Sequence, residues 1–524
     1  VNGQRHLDVS LTRTSLFEAL LAARRRHGGS RQIVEDPERS PLTYDRLVLG
    51  SLVLGRKLAA LSEPGRPIGV MLPNVQGVGV VIFGLGAHGR VPAMLNFTAG
   101  LKNIEAACDA GRIDTIVTSR RFVDQARLED VVTGLAATRK IVWIEDVRKG
   151  ITTLDKLIGL AARIGASLFP KRFSVAPDET AVLLFTSGSE GAPKGVALSH
   201  ANLMANIRQI EAHIGTPPLG PGQVVLNPLP VFHSYGLTGG LLLGLFTGMK
   251  VVLYPSPLHY RQIPRLARDV GATILFGTDT FLQGYARAAD PGDLDTIRIV
   301  VAGAERVRDE TRRTWSGFGT TILEGYGATE CAPVIAANQI EANRAGTVGR
   351  FLPGVEHRLE PVAGLDEGGR LFVRGPNVMK GYMRAGRPGE IEPPSGGWHD
   401  TGDIVSLDVD GFVTIRGRAK RFAKLGGEMV SLAAVEALVQ SLWPGFGHVV
   451  VAIPDPRKGE QLVLVTEKPD AERDELARAA RAAGYPELWV PRAILVTEAV
   501  PVLGSGKIDY PAAQKLAASN RPLL

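Results

Sequence analysis

The residues best suited to chemistry lie in one run, Leu184-Phe185-Thr186-Ser187-Gly188-Ser189-Glu190-Gly191-Ala192-Pro193-Lys194-Gly195. It follows an apolar stretch, Ala181 to Phe185, of strand type. Glycines let backbone N–H groups turn toward an anion. The hydroxyls of Thr186, Ser187 and Ser189 add donors, and Lys194 adds positive charge. This is chemistry for holding a polyphosphate. It is not a Walker A loop, because Pro193 stands at that motif's second glycine and Gly195 at its Ser/Thr position.

Other runs carry complementary groups. In Glu324-Gly325-Tyr326-Gly327-Ala328-Thr329-Glu330, an aromatic face suits adenine stacking, the Thr329 hydroxyl suits an α-phosphate and the Glu330 carboxylate suits Mg²⁺. In Trp398-His399-Asp400-Thr401-Gly402-Asp403, the last carboxylate suits a pair of ribose hydroxyls, although the run reads equally as a polar turn. Arg416 to Glu428 is dense in charge. Such a run is ordinarily a solvated face, but this one falls where the pattern of elements changes. Gly504-Ser505-Gly506-Lys507-Ile508-Asp509 puts a lysine on a glycine-flanked loop that can reach an anion. Gly84-Leu85-Gly86-Ala87-His88-Gly89 spells G-x-G-x-x-G, with Asp109 downstream. Its glycines fall inside a run that reads as a buried helix from Val75, and a dinucleotide site needs strand, turn and helix in that order.

The elements that must position these groups alternate. Leu16 to Arg26 and Leu42 to Leu61 have helical periodicity, and Ile68 to Leu72, Val91 to Leu95, Thr115 to Thr118 and Ile141 to Ile144 read as short buried strands. The expectation is an α/β fold with largely parallel sheet. After residues 416–420 the pattern becomes a compact unit. A strand turns into a helix over Glu428 to Leu442, with Ser431 as N-cap. Strands come next at Val449 to Ile453 and Leu462 to Thr466, then a helix at Ala471 to Ala483 and a strand at Ala493 to Val496. The expected division is a large multi-sheet domain at 1–417 and a small mobile α+β domain at 418–524.

Length agrees, since 524 residues exceed one compact core. The chain is 44% hydrophobic and 22% charged, with a net charge of +7, a mild excess that suits anionic partners or an ordinary solvated surface. Cys108 and Cys331 stand far apart, so a reducing cytoplasm is expected rather than a disulfide framework. The apolar stretch Gly236 to Tyr254 is broken by Gly239, Gly240, Gly244, Gly248 and Lys250 and reads as a buried element, not a membrane span. No nucleic-acid partner is expected.

Taken in order, these motifs resemble the adenylate-forming superfamily of acyl-CoA synthetases, luciferases and peptide-synthetase adenylation domains. Within it the sequence is most similar to the acyl-acyl carrier protein synthetase half of bifunctional 2-acylglycerophosphoethanolamine acyltransferases. The similarity lies in Val91 to Asn96, Thr186 to Gly195, Pro376-Asn377-Val378-Met379, Gly417 to Lys424 and Gly427 to Ser431. The resemblance implies that Thr186, Ser187, Gly188, Ser189 and Lys194 hold the β- and γ-phosphates of ATP. It implies that Gly303, Ala304, Glu305, Glu324, Gly325, Tyr326 and Gly327 frame the adenine and the acyl carboxylate, that Thr329 touches the α-phosphate and that Glu330 binds Mg²⁺. Asp403 and Arg418 would hold the ribose. His233 would lie beside the carboxylate, although a lone histidine is more often a core residue. Lys420 would be the hinge and Lys507 the mobile catalytic lysine. Arg421, Lys424, Gly426 and Gly427 would face the thiol and its carrier.

The activity implied by the resemblance is activation of a medium- to long-chain fatty acid as acyl-AMP and transfer to a thiol. The acceptor is expected to be the phosphopantetheine of acyl carrier protein, with coenzyme A as the alternative. A catalytically inactive nucleotide-binding protein is the reading from another class. The His-x₄-Asp signature of the acyltransferase half is present at none of the histidines. The chain is therefore either a separate synthetase or a portion of a larger protein. In the second case a separate acyltransferase region would hold it at the inner face of the cell membrane.

Overall fold

Ser15 and Glu18 form a reciprocal capping box: Ser15 Oγ accepts from the Glu18 N–H, and the Glu18 carboxylate accepts from the Ser15 N–H. Helix Leu16–His27 begins there. It ends at Gly28, whose φ of 92° glycine adopts without strain. In the computed structural model the described residues are 7–168, 175–187, 193–215, 218–362, 365, 367–425, 428–455, 459–483, 485–502 and 508–520.

By its internal contacts the chain forms two units, Val1–Glu356 with Arg374–His399, and His357–Val373 with Asp400–Leu524. Residues 400–417, expected in the large domain, group with the second unit, because His399–Leu407 and Val413–Arg418 pair antiparallel within its sheet.

The first unit carries two large sheets. Among the described residues, one runs in the order Arg350–Phe351, Val334–Ala337, Thr321–Gly327, Ile299–Ala302, Ile274–Gly277, Val224–Asn227, Lys250–Leu253, Gln32–Glu35, Leu42–Thr43. Its centre is parallel and its edges antiparallel. The other runs Arg387–Glu392, Gly381–Arg384, Pro193–Ser199, Thr180–Ser187, Val91–Met94, Pro67–Val70, Thr115–Thr118, Lys140–Trp143. Strands expected at Ile68, Val91, Thr115 and Ile141 are present within a residue or two of their expected starts. Leu42–Thr43 became an edge strand instead of the first turn of the next helix, Tyr44–Ala59, because Thr43 Oγ1 caps the N–H of Arg46.

The G-x-G-x-x-G run begins within helix Gln76–Ala87, and its first glycine serves packing. A Cβ built on Gly55 of helix Tyr44–Ala59 would lie 2.3 Å from Gly84 O, and one on Gly84 would lie 2.8 Å from Ser51 O. The two helices cross backbone to backbone. The stretch from Gly236 is also buried. It forms a π-helix, Tyr235–Leu243, a short helix, Gly244–Thr247, and strand Lys250–Leu253. Here too the glycines admit neighbours, since a Cβ on Gly240 would strike the Asn227 amide at 2.2 Å. The apolar segments Leu241 to Leu245 and Ile274 to Phe281 contribute their leucines, isoleucine and phenylalanines to the core.

The second unit matches the pattern read from sequence. Ser431 Oγ accepts from the Ala434 N–H at 3.3 Å and starts helix Leu432–Leu442. Strands His448–Asp455 and Gly459–Thr466 form an antiparallel pair, and Ala493–Val496 adds to the latter in parallel.

The crossing of the two helices gives a direct test. Gly55→Ala should lower the first thermal unfolding transition by the equivalent of about 1–3 kcal/mol, the usual cost of overpacking. Gly86→Ala meets nothing within 4 Å and should be neutral or stabilising by up to about 1 kcal/mol, as for alanine in a helix interior. Equal melting of the two variants would refute the packing role.

Candidate active site

Two antiparallel strands flank the run expected to hold phosphates. Strands Thr180–Ser187 and Pro193–Ser199 pair so that Thr186 faces Lys194 and Ser187 faces Pro193 in register. The ladder thus holds Thr186 and Lys194 together at the mouth of the loop. Gly188 and Ser189 lie outside the described residues, and of Ser187 only the strand position is described.

Beside these two strands, strand Gly381–Arg384 pairs antiparallel with Pro193–Ser199, setting Tyr382 opposite Val196. The Lys194 Nζ lies 5.3 Å from the Tyr382 ring centroid, a cation–π contact. The Tyr382 hydroxyl donates to Glu330 Oε1 at 2.7 Å. One tyrosine therefore touches both the lysine and the carboxylate expected to act on ATP and its metal. Burial first, and then the neighbouring Glu330 carboxylate, push the Tyr382 phenol far above its ordinary pKa, so it stays a donor. Nothing in the local sequence singles it out, because it is 52 residues from Glu330.

The turn that presents Thr329 and Glu330 is held from several sides. Asn377 Nδ2 donates to Cys331 O at 2.8 Å, and the Met379 N–H donates to Glu330 O at 2.8 Å. Asn206 spans the next strand, donating to Val334 O at 2.7 Å and accepting from the Val334 N–H at 3.0 Å. Thr329 Oγ1 lies 3.3 Å from Ser234 Oγ, at the entry to the π-helix. His233, one residue earlier, is exposed, so it is not the core histidine that its isolation in sequence suggested; its ring lies 4.6 Å from that of Phe232.

The adenine-side residues sit at the carboxyl ends of adjacent parallel strands. Gly303 comes directly after Ile299–Ala302, and Gly325, Tyr326 and Gly327 close Thr321–Gly327. Ala304 has φ 68°, the left-handed region, which costs a non-glycine residue about 1–3 kcal/mol. The Glu305 carboxylate holds this turn by accepting from the Thr280 N–H at 3.0 Å and Oγ1 at 2.9 Å. Tyr235, which the local sequence also does not mark, backs the turn. Its hydroxyl donates to Val301 O at 2.7 Å, and a Cβ on Gly303 would lie 3.3 Å from its ring.

Two carboxylates prove to be structural. The Glu324 side chain is buried, pairs with Arg312 and accepts from the Val307 N–H. Burial raises its pKa. Its side chain is thus committed to the turn, and only its main chain can frame a ligand. Glu305, half-buried, is engaged by the two hydrogen bonds from Thr280.

In the second unit, Asp403 and Arg418 are register partners on adjacent strands, joined by an ion pair of 2.8 Å from Arg418 Nε to Asp403 Oδ1. Asp403 is buried and Arg418 exposed. Lys420 lies in the turn Ala419–Arg421 and Lys424 in strand Phe422–Leu425, with neither side chain described. Gly426, Gly427 and Lys507 lie outside the described residues. An isolated bridge, Val502 to Ile508, flanks the Lys507 segment, and Asp509 caps helix Tyr510–Ser519.

Arg421 departs from expectation. Its guanidinium donates to Val450 O at 2.8 Å, pairs with Glu436 at 2.5 Å and stacks 3.8 Å from the Tyr510 ring centroid. Only 13% of the side chain is exposed. It is an interior tie, not a group offered to an acidic carrier. The correction has a plain cause: a largely covered Glu436 needs a cation, and Arg421 is within reach.

A metal fits this donor set in one way. Among the described residues no cluster of three or more histidine, cysteine or carboxylate groups exists. Glu330 alone suits Mg²⁺, which commonly takes one or two protein carboxylates and completes its shell with phosphate oxygens and water. Among the described residues no helix is long and apolar enough to cross a membrane.

The family model for "AMP-binding enzyme" matches residues 21–383. The feruloyl-CoA synthase of an Amycolatopsis species is 31% identical over 504 residues, covering 92% of this chain and 93% of that protein. The long-chain-fatty-acid–CoA ligase of Escherichia coli O157:H7 is 28% identical over 483 residues, 85% of this chain and 84% of that protein. Among solved structures, ATP-bound MatB from Rhodopseudomonas palustris matches with a TM-score of 0.80 at 22% identity, over 96% of this chain and 99% of that one. The anthranilate CoA ligase AuaEII, in complex with anthranoyl-AMP, matches with a TM-score of 0.78 at 19% identity, over 97% and 98%. The α/β multi-sheet architecture read from the sequence is the one these structures share.

Two variants test the geometry. Tyr382→Phe keeps the ring over Lys194 and removes the bond to Glu330. Calorimetric binding of ATP with Mg²⁺ should weaken about 10–150-fold, the worth of one hydrogen bond to a charged group, with melting unchanged within error. Unaltered affinity would show that Tyr382 does not orient the carboxylate. Arg421→Glu places two carboxylates in the interior of the second unit and should destabilise it by about 3–5 kcal/mol, as breaking a buried pair does. Survival of that unit's protease resistance would restore Arg421 to the surface.

Proposed function

The chain belongs to the AMP-binding enzyme family of adenylate-forming enzymes, and on that premise we propose that it is an acyl-CoA synthetase, joining an apolar carboxylic acid to coenzyme A through an acyl-AMP intermediate. The observation that carries this reading is the 31% identity to a feruloyl-CoA synthase over 92% of the chain. The similarity to long-chain-fatty-acid–CoA ligases points the same way. The case for acyl carrier protein rested partly on a basic surface around Arg421, and that residue is turned inward. Coenzyme A is accordingly the preferred acceptor, and carrier protein the competing one.

A carboxylate is a poor electrophile, and its partner ATP is also an anion. The barrier to bringing them together is largely electrostatic. Thr186, Ser187, Gly188, Ser189 and Lys194 take the β- and γ-phosphates. Main-chain groups of Gly303 to Glu305 and Glu324 to Gly327 frame the adenine, with Tyr326 as the aromatic wall. Thr329 meets the α-phosphate, and His233 stands beside the acid. Asp403 accepts from the ribose hydroxyls, and Arg418 steadies Asp403. Glu330, oriented by Tyr382, would hold Mg²⁺, which when bound would supply positive charge to the phosphates. Attack of the acid on the α-phosphorus forms the mixed anhydride and expels pyrophosphate. Lys507 supplies positive charge to that step.

The thiol must then enter where Lys507 acted. One arrangement cannot present both sets of groups, so the small domain turns about Lys420 between half-reactions.

The deciding experiment measures kcat/KM for coenzyme A and for holo-acyl carrier protein, with ferulic acid and with a long-chain fatty acid. Preference for coenzyme A is expected, and a larger value with carrier protein would reassign the acceptor. Absence of acid-dependent pyrophosphate exchange would point to an inactive nucleotide-binding protein. Lys507→Ala should slow adenylation about 10²–10³-fold, the worth of one preorganised charge, while transfer from preformed acyl-AMP survives better. Equal loss in both half-reactions would make Lys507 structural.

A further inference from the structure

Helix Thr153–Leu168 of the first unit is mounted with its apolar face outward. Its inner face is polar and small. Asp155 is buried and binds Arg56 and Lys57, each at 2.8 Å. The same carboxylate caps the helix start, accepting from the Thr152 N–H at 2.9 Å, while Thr152 Oγ1 accepts from the Asp155 N–H at 3.2 Å. Arg163 lies 3.5 Å from Asp45. Gly159 packs so closely that a Cβ there would lie 2.2 Å from Val53 Cγ2. Ala166 is fully buried.

The outer face carries Leu154, Leu157, Leu160 and Ile164, with 63%, 59%, 39% and 51% of their surfaces exposed. At about 100° per residue these span an arc of about 120°, nearly opposite Asp155, Gly159, Ala162 and Ala166. A soluble helix ordinarily turns such a stripe to the core. Here ion pairs and close small-residue packing hold the helix, so its leucines are not needed for attachment.

Exposed basic residues border the stripe, Arg148 and Lys149 just before the helix and Lys156 within its first turns. The nearby acids are engaged elsewhere: Asp155 as above, Glu145 with Ser119 and Asp146 with Arg120. A continuous apolar stripe beside exposed cations, on a chain of net charge +7, has the chemistry of a helix lying in an anionic lipid surface.

We propose that helix Thr153–Leu168 docks this protein on anionic membranes, with Leu154, Leu157, Leu160 and Ile164 in the acyl boundary and Arg148, Lys149 and Lys156 against the headgroups. The protein is thereby held peripherally, by a surface of its own. The inference is independent of which acid or thiol the enzyme uses.

Sedimentation of the full chain with phosphatidylglycerol-containing vesicles, and with pure phosphatidylcholine vesicles, tests it. The unaltered protein should bind the anionic vesicles and bind the neutral ones at least several-fold more weakly, the difference closing at high salt. Leu157→Glu should reduce partitioning about tenfold or more. Its melting should be unchanged, since the side chain is already mostly in water. Lys149→Glu with Lys156→Glu should reduce binding to anionic vesicles by more than about tenfold and leave neutral ones nearly unaffected. Failure of the unaltered protein to bind anionic vesicles would overturn the proposal. So would vesicle binding by Leu157→Glu at the original strength. Conversion of a dimer to a monomer by Leu157→Glu, without vesicle binding in the parent, would assign the stripe to a second copy of the chain instead.

Discussion

A parallel strand covered on both faces has nowhere to carry a charge except beyond its ends. The first unit depends on that constraint. Ile299–Ala302, Thr321–Glu324 and Ile274–Gly277 lie side by side in the parallel centre of one sheet, and their charged member, Glu324, stands at the carboxyl end of the parallel ladder. Polar and strained features collect at and past their carboxyl ends: Gly303 and the left-handed Ala304, the last strand residues Gly325 to Gly327, then Thr329 and Glu330. In open α/β sheets that is where ligands bind. The chemistry is concentrated by the rule that builds the core.

Holding anionic groups at such an edge requires a scaffold of uncharged donors. Asn377, the Met379 N–H and Asn206 fix the main chain around Glu330 without adding charge. Tyr382 then joins the carboxylate to the lysine of the phosphate run. A phenol suits this place. Its ring faces a cation, its hydroxyl donates to an anion, and burial prevents its ionisation. Glu305 and Glu324, by contrast, spend their charge on shaping turns.

Charge placement also explains the two departures from simple amphipathic logic. Arg421 sits in a basic run and is nonetheless interior, because burying Glu436 without a cation is costly. Burial raises the Glu436 pKa against the pull of Arg421, so the pair is a fixed structural tie and not a solvated one. Helix Thr153–Leu168 shows the converse: its buried Asp155 carries two cations, and Leu154 and Leu157 are left mostly to solvent. In each case the position of one well-covered carboxylate decides which face of the element is free.

The sequence by itself determined the alternation of strands and helices and the position of the small unit's elements. Those are local properties of period, composition and turn residues, and strands such as Thr115–Thr118 needed nothing further. It also distinguished the Gly84 run from a dinucleotide loop, since helical periodicity extends through it. Tertiary structure decided the partners. That Tyr382 reaches Glu330, that Glu324 faces Arg312 and not a ligand, that His233 is exposed and that Arg421 is buried all depend on distant strands brought into register. Pairing between residues far apart in sequence leaves no periodic trace in either segment. Only the folded backbone brings a side chain within reach of its partner, and only there does a charge acquire its role.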